Sequence, residues 1–188
     1  MKTFVSVFIL LTILCSGCIQ VNLPQSSSRP TAHFSLALPT DFKAPQTSVY
    51  IREFVSECPA KFRMLSRKGS VLKYDDFAKW AETPSVMLSS AFRKLFGCDN
   101  DDIETAKYFL DGCIFAFEKN LETNAAVLRI QYTLTDRQND KVIFKKMINT
   151  SIPFTGDTPE AFAAAMSKAV TEQAEKIRSD IAELKTKK

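Results

Sequence analysis

Three long alternating blocks followed by one long amphipathic block fill the second half of the chain and limit the folds open to it. Residues 106–119 place Phe109, Cys113, Phe115 and Phe117 on one parity and Tyr108, Leu110 and Ile114 on the other. Residues 124–135 are cleaner, with Leu128, Ile130, Tyr132 and Leu134 alternating against Arg129, Gln131 and Thr133. After a polar turn at 136–140, residues 141–152 continue with Val142 and Phe144, then slip phase at Lys145-Lys146, as an edge strand or a bulge would. Period-two spacing predicts strands, and the short turns predict an antiparallel meander with one wet face. Helical spacing then takes over. Asp157 or Thr158 caps a helix opened by Pro159, and Asp157 with Glu160 has capping-box spacing. Phe162, Met166, Ala169, Val170, Gln173, Ile177, Ile181 and Leu184 trace one stripe of it. Such a helix is ~40 Å long, and each larger side chain buried along the stripe contributes at most about 1.5–3 kcal/mol.

The first half is built from shorter signals. In residues 33–38, Phe34, Leu36 and Leu38 alternate up to Pro39, and residues 49–55 suit a second strand, with Val49, Ile51 and Val55 sharing a face. Residues 61–75 predict a hairpin turning at Lys68-Gly69. Thr83-Pro84 then opens a helix whose stripe is Leu88, Ala91, Phe92 and Leu95, with Ser89, Arg93 and Lys94 outside it and Gly97 as its stop. Trp80, just upstream, is assigned to packing. The expected architecture is α+β: two amphipathic helices on a largely antiparallel sheet, in a single domain.

The beginning of the chain carries an address. Lys2, an apolar run over residues 4–15, and Ser16-Gly17 ahead of Cys18 have the layout of a secretory signal. The run is too short to span a bilayer, which takes roughly 20 residues. Residues 14–18 (LCSGC) resemble the bacterial lipobox, although Cys15 stands where that pattern usually has Leu. The resemblance implies removal of residues 1–17 and acylation of Cys18 by fatty chains such as palmitate. Several chains at ~0.8 kcal/mol per buried methylene make a stable anchor, where a single chain is marginal. Ile19, rather than Asp, after the anchor resembles the sorting pattern for the outer membrane. Residues 18–32, with Pro24, Pro30 and a serine run, form a linker, and residues 33–188 form the domain.

Chemistry-bearing constellations are scarce. The one histidine, His33, sits at the linker's edge, and the five glycines form no phosphate-cradling motif. Cys58, Cys98 and Cys113 lack C-x-x-C spacing, so no zinc site is expected. In an oxidising compartment a disulfide could join two of them, with the connectivity open. The acidic cluster Asp99, Asp101, Asp102 and Glu104 lacks the EF-hand pattern, and Asp75-Asp76 is assigned to capping and solvent contacts. A net charge of +4 includes no block of five like charges, so nucleic acid is not an expected partner. No catalytic residue, cofactor or metal is assigned, and the chain is expected not to be an enzyme.

Residues 74–82 (YDDFAKWAE), followed by an amphipathic helix ending in Phe92-Arg93-Lys94-Leu95-Phe96, resemble the ABC-type transport auxiliary lipoprotein family, which includes paraquat-inducible protein C-like lipoproteins. The opening HFSLAL at 33–38 is similar to the family's first strand; the cysteine content departs from its pattern. The resemblance implies a non-catalytic, periplasm-facing lipoprotein of the cell envelope. Its implied partners are an ABC permease and ATPase with a mammalian-cell-entry (MCE) domain protein in lipid transport, and homo-oligomeric rings are implied too. Two alternatives stand beside it. One is a lipid carrier whose groove lies between the Phe109–Phe117 strand and the final helix. The other is an outer-membrane lipoprotein of lipopolysaccharide assembly, a class with a similar small α+β body.

Overall fold

A computed structural model describes residues 30–39, 48–59, 61–98 and 103–186. Cys18, the signal-like segment and Asp99, Asp101 and Asp102 lie outside the described residues. The three alternating blocks form β6 (Tyr108–Asn120), β7 (Ala125–Asp136) and β8 (Val142–Pro153), an antiparallel meander as expected. The expected hairpin is β4 (Arg63–Lys68) and β5 (Val71–Trp80), turning at Gly69 with a φ of 56°. Before it come three short strands, β1 (Ala32–Phe34), β2 (Val49–Ile51) and β3 (Val55–Ser56). The helices are α1 (Pro84–Phe96) and α2 (Pro159–Thr186).

The α+β class holds, but the sheet is mixed rather than largely antiparallel. Its order is β1-β5-β4-β6-β7-β8, with β2 and β3 also paired to β6. β1 runs parallel to β5, and β2, β3 and β4 all run parallel to β6. These pairings join segments distant in sequence, and alternation within a strand does not encode which distant neighbour it meets or in which direction. Residues 49–55 also divide. The chain turns out of register after Ile51, so Phe54 is buried and Val55 exposed.

Gly112 lies at this break. A Cβ there would stand 2.7 Å from the Phe54 ring, so the glycine lets that ring lie flat on β6. Phe54 in turn packs on Phe92 of α1 and Tyr132 of β7, with centroid separations of 5.1 and 6.0 Å. Its backbone N–H donates to Ser89 Oγ, and Ser89 is buried, not outside the stripe as its spacing predicts.

Both helices cover one face of the sheet. Tyr132 marks that face, since Phe92 of α1 packs near it and its hydroxyl donates to Gln173 Oε1 of α2 at 2.6 Å. Thr83 precedes α1 without a side-chain cap, Pro84 sits in its first turn, and Gly97 closes it in the left-handed conformation. On α2 it is Thr158 that caps, accepting from the Ala161 N–H. Asp157 instead pairs with Lys119. Trp80, 1% exposed, packs between Phe117 and Phe162, tying β5, β6 and α2 together.

Gly112→Ala should therefore destabilise the fold by about 1–3 kcal/mol, the usual cost of overpacking. Urea unfolding measures it, and Gly156→Ala, with open space around its Cβ, serves as a comparison in which backbone strain acts without a clash.

Candidate functional site

The hairpin β4–β5 is not a regular ladder. Arg63 pairs with Lys79 and Leu65 with Tyr74, so Met64 alone faces Asp75, Asp76, Phe77 and Ala78. Of these, Ala78 is buried, while Asp75, Asp76 and Phe77 are exposed and form a bulge. Asp75 builds it: its Oδ1 accepts the backbone N–H groups of Phe77 and Ala78, each at 2.8 Å. These carboxylate hydrogen bonds replace the ladder bonds that the bulge gives up. Beyond the bulge the strand resumes and β1 docks on it, with Ala32 opposite Ala78, His33 opposite Lys79 and Phe34 opposite Trp80.

This end of the hairpin displays side chains that a folded chain usually buries. Phe77 in the bulge is 48% exposed, and Phe62, just before β4, and Tyr74 on β5 are exposed as well. Pro59, Lys61, Phe62, Arg63, Tyr74 and Lys79 line a cleft of about 550 Å³. Arg63 lies over the Tyr74 ring, 5.4 Å from its centroid, and reaches Asp76 at 3.4 Å. Both partners of that ion pair face solvent, so it contributes little to stability, at most about 1 kcal/mol.

A second cleft, of about 290 Å³, opens where the hairpin meets the start of α2, between Lys73, Asp75, Lys119, Leu121, Asp157 and Phe162. Lys119 is buried along its stem and pairs through Nζ with Asp157. The Lys119 hydrogen bond holds the Asp157 carboxyl below its ordinary range. A depressed carboxylate adds stability that is present above the unfolded value, about 4, and is lost as pH falls through the folded one. Because Asp157 is open to solvent, that contribution stays below about 1 kcal/mol.

The turn end of the hairpin is fastened differently. Arg67 donates to both carboxylate oxygens of Glu118, a residue buried on β6. The two-pronged geometry suits the guanidinium fork and satisfies a charge that burial would otherwise penalise.

The residues singled out from sequence lie mostly elsewhere. His33 is exposed on β1. Glu104 offers only its backbone carbonyl, to Arg137. Asp75 and Asp76 are placed together, in the bulge and not at the helix start. Cys58, Cys98 and Cys113 are thiols in the structure, and Cys98 donates through Sγ to the Val49 carbonyl. Burial pushes the Cys113 thiol up, and neighbouring Glu57 pushes it further. Phe109 and Phe117 fall on opposite faces. Phe109 lies under Arg52, away from the helices, while Phe117 sits in the core with Trp80. The strand and α2 therefore do not enclose a groove lined by the phenylalanines of β6. The bulge itself escapes simple periodicity, because Leu72, Tyr74, Ala78 and Trp80 keep one parity across it; its signal is Asp76 on that parity and Phe77 on the other.

Among the described residues no cluster of His, Cys, Asp or Glu has the makings of a metal site, and no helix is long and apolar enough to cross a membrane. The fold defines a small α+β domain with a packed interior and one bulged hairpin that exposes apolar rings. The chain belongs to the ABC-type transport auxiliary lipoprotein component family, whose pattern it matches over residues 64–178, from β4 into α2. Two solved structures share the fold. Protein XCC0632 from Xanthomonas campestris, of the DUF330 family, is 16% identical over 78% of this chain and 92% of that one, with a TM-score of 0.63. An uncharacterized protein, 8% identical, covers 81% of this chain and 99% of its own at a TM-score of 0.67. No curated protein matches the chain.

Asp75→Ala should open the bulge. Its two orphaned N–H groups lie near solvent, so the loss is about 1 kcal/mol, and amide exchange at Phe77 and Ala78 should accelerate. Asp76→Ala should change stability by less than about 0.5 kcal/mol and leave those amides protected.

Proposed function

We propose that this protein is a non-catalytic auxiliary component of an ABC-type lipid transport system, anchored by acyl chains at Cys18 to the outer membrane and facing the periplasm. Residues 1–17 are removed as its signal, 18–32 tether it, and the domain beginning at 33 makes the contacts. The observation that carries this reading is the family match over residues 64–178, joined to a lipobox-like LCSGC sequence at the start of the chain. Its partners are an MCE-domain protein and the permease and ATPase with which that protein works.

The fold supports such a role in one specific way. No described strand pairs with the outer edge of β8, which runs for 12 residues. A long open edge is a template for an added strand. Either an MCE partner or a second copy of this chain can use it, and the second case gives the homo-oligomer that the family resemblance implies. Lys145 and Lys146 on that strand are both exposed and discourage indiscriminate pairing.

Crosslinking in intact membranes, read out by mass spectrometry, tests the assignment. An MCE-domain protein should be captured by the native chain, and Cys18→Ala should lose both the acyl mass and that partner while remaining folded. Copurified phospholipid without such a partner would instead favour a lipid carrier, and capture of a lipopolysaccharide-assembly β-barrel would replace the transport reading.

A further inference from the structure

We infer that the bulged hairpin is a second membrane contact, laid against the anionic headgroups of the bilayer that holds the acyl chains. The inference rests on the Cys18 anchor proposed above. Three observations carry it.

The first is where the tether ends. The residues between Cys18 and Ala32 span at most ~50 Å, whatever path they take. They deliver the chain to β1, whose Ala32 is registered against Ala78, next to Phe77. The bulge is thus the part of the domain joined most directly to the anchor, and a short tether holds it near the surface at high effective concentration. A weak contact is then enough.

The second is charge. Residues 61–79 hold Lys61, Arg63, Arg67, Lys68, Lys73 and Lys79 against only Asp75 and Asp76, a surplus of four that equals the net charge of the whole chain, +4. Arg67 is committed to Glu118 and Arg63 is within 3.4 Å of Asp76, but Lys61, Arg63 and Lys79 line one cleft together. Clustered cations beside an anchor are drawn to an anionic leaflet.

The third is the aromatic content of the same surface. Phe62 and Tyr74 line that cleft with those cations, and Phe77 is exposed two residues before Lys79. Rings flanked by Lys and Arg suit the boundary between headgroups and acyl chains, where an apolar face enters and the charges stay in water. Phe77 sits in the bulge, between Asp76, which Arg63 reaches across solvent, and Lys79.

The test uses the full mature chain with its native acylation, reconstituted into vesicles of phosphatidylethanolamine and phosphatidylglycerol. Phe77→Trp supplies a reporter that keeps an aromatic ring at an exposed site. Native Trp80 is buried and gives a constant background. Lipids brominated near the headgroup end of their acyl chains should quench the new tryptophan and accompany a blue shift. Val142→Trp, exposed on the opposite edge strand, should be unaffected. Adding Lys61→Glu and Lys79→Glu, or using phosphatidylcholine alone, should reduce the quenching. An unquenched Trp at 77 in protein that floats with the vesicles would overturn the inference, as would equal quenching on neutral lipid. Burial of that Trp only on adding a partner protein would overturn it too. Flotation and intact mass report the anchor separately. Should Cys18 carry no acyl chain, the same quenching measured on soluble protein mixed with vesicles still decides whether the hairpin binds lipid.

Discussion

The structure depends on how β6 shares its two edges. One edge is taken along nearly its whole length by β7, from Tyr108 opposite Asp136 to Asn120 opposite Ala125. The other is divided among three short parallel strands: β2 on Tyr108–Leu110, β3 on Cys113–Ile114 and β4 on Lys119–Asn120. Buried backbone N–H and C=O groups must find partners, and no single segment of the first half supplies them for all of β6. The N-terminal half is therefore cut into pieces, and each piece takes its register from the same strand. The break between β2 and β3 is a consequence, because Phe54 must leave the edge and fold over Gly112.

The helix layer is fixed by a polar tie inside an apolar interface. The Tyr132 hydroxyl donates to Gln173, and the Gln173 amide donates to the Leu128 carbonyl at 2.8 Å. All of these groups are buried, and burial raises the Tyr132 phenol well above its ordinary value, so it stays a donor. An apolar stripe alone would let α2 slide or rotate by a residue at little cost. A slip here would orphan two buried polar groups at ~1–3 kcal/mol each, which makes the observed seating unique. Trp80 adds bulk at the same seam, although its Nε1 finds no partner in the structure.

How far the sequence discloses this depends on which forces are local. The meander β6–β8 and both helices are legible because alternation and helical stripes are properties of contiguous residues. Gln173 is legible only as a place on the stripe, since its partner Tyr132 lies 41 positions away. The parallel pairings are silent in sequence for the same reason. β8 reads correctly as an edge, while its irregularity falls earlier than Lys145-Lys146, where Leu134 meets Phe144 and Thr135 meets Val142. Val49 to Val55 misleads because its composition suits one strand, whereas the competition for β6 demands two. At the bulge, Asp75-Asp76 before a Pro-opened helix has the look of a cap. Only the register against β4 shows that Asp75 caps a bulge in the strand instead.

The contrast between the two ends of the hairpin bears on what it is for. At its turn end, Arg67 and buried Glu118 form a pair whose disruption would leave a charge stranded against β6. Toward the other end, Phe62 before β4 and Phe77 in the bulge remain in water, although burying each ring would contribute about 1.5–3 kcal/mol. The fold has means to cover such rings: Phe117, on the neighbouring β6, is 1% exposed beneath Trp80. A rigid mount carrying unburied rings is a poor arrangement for stability alone. It suits a surface that meets something apolar and negatively charged, and the strand leading in from the tether arrives beside it.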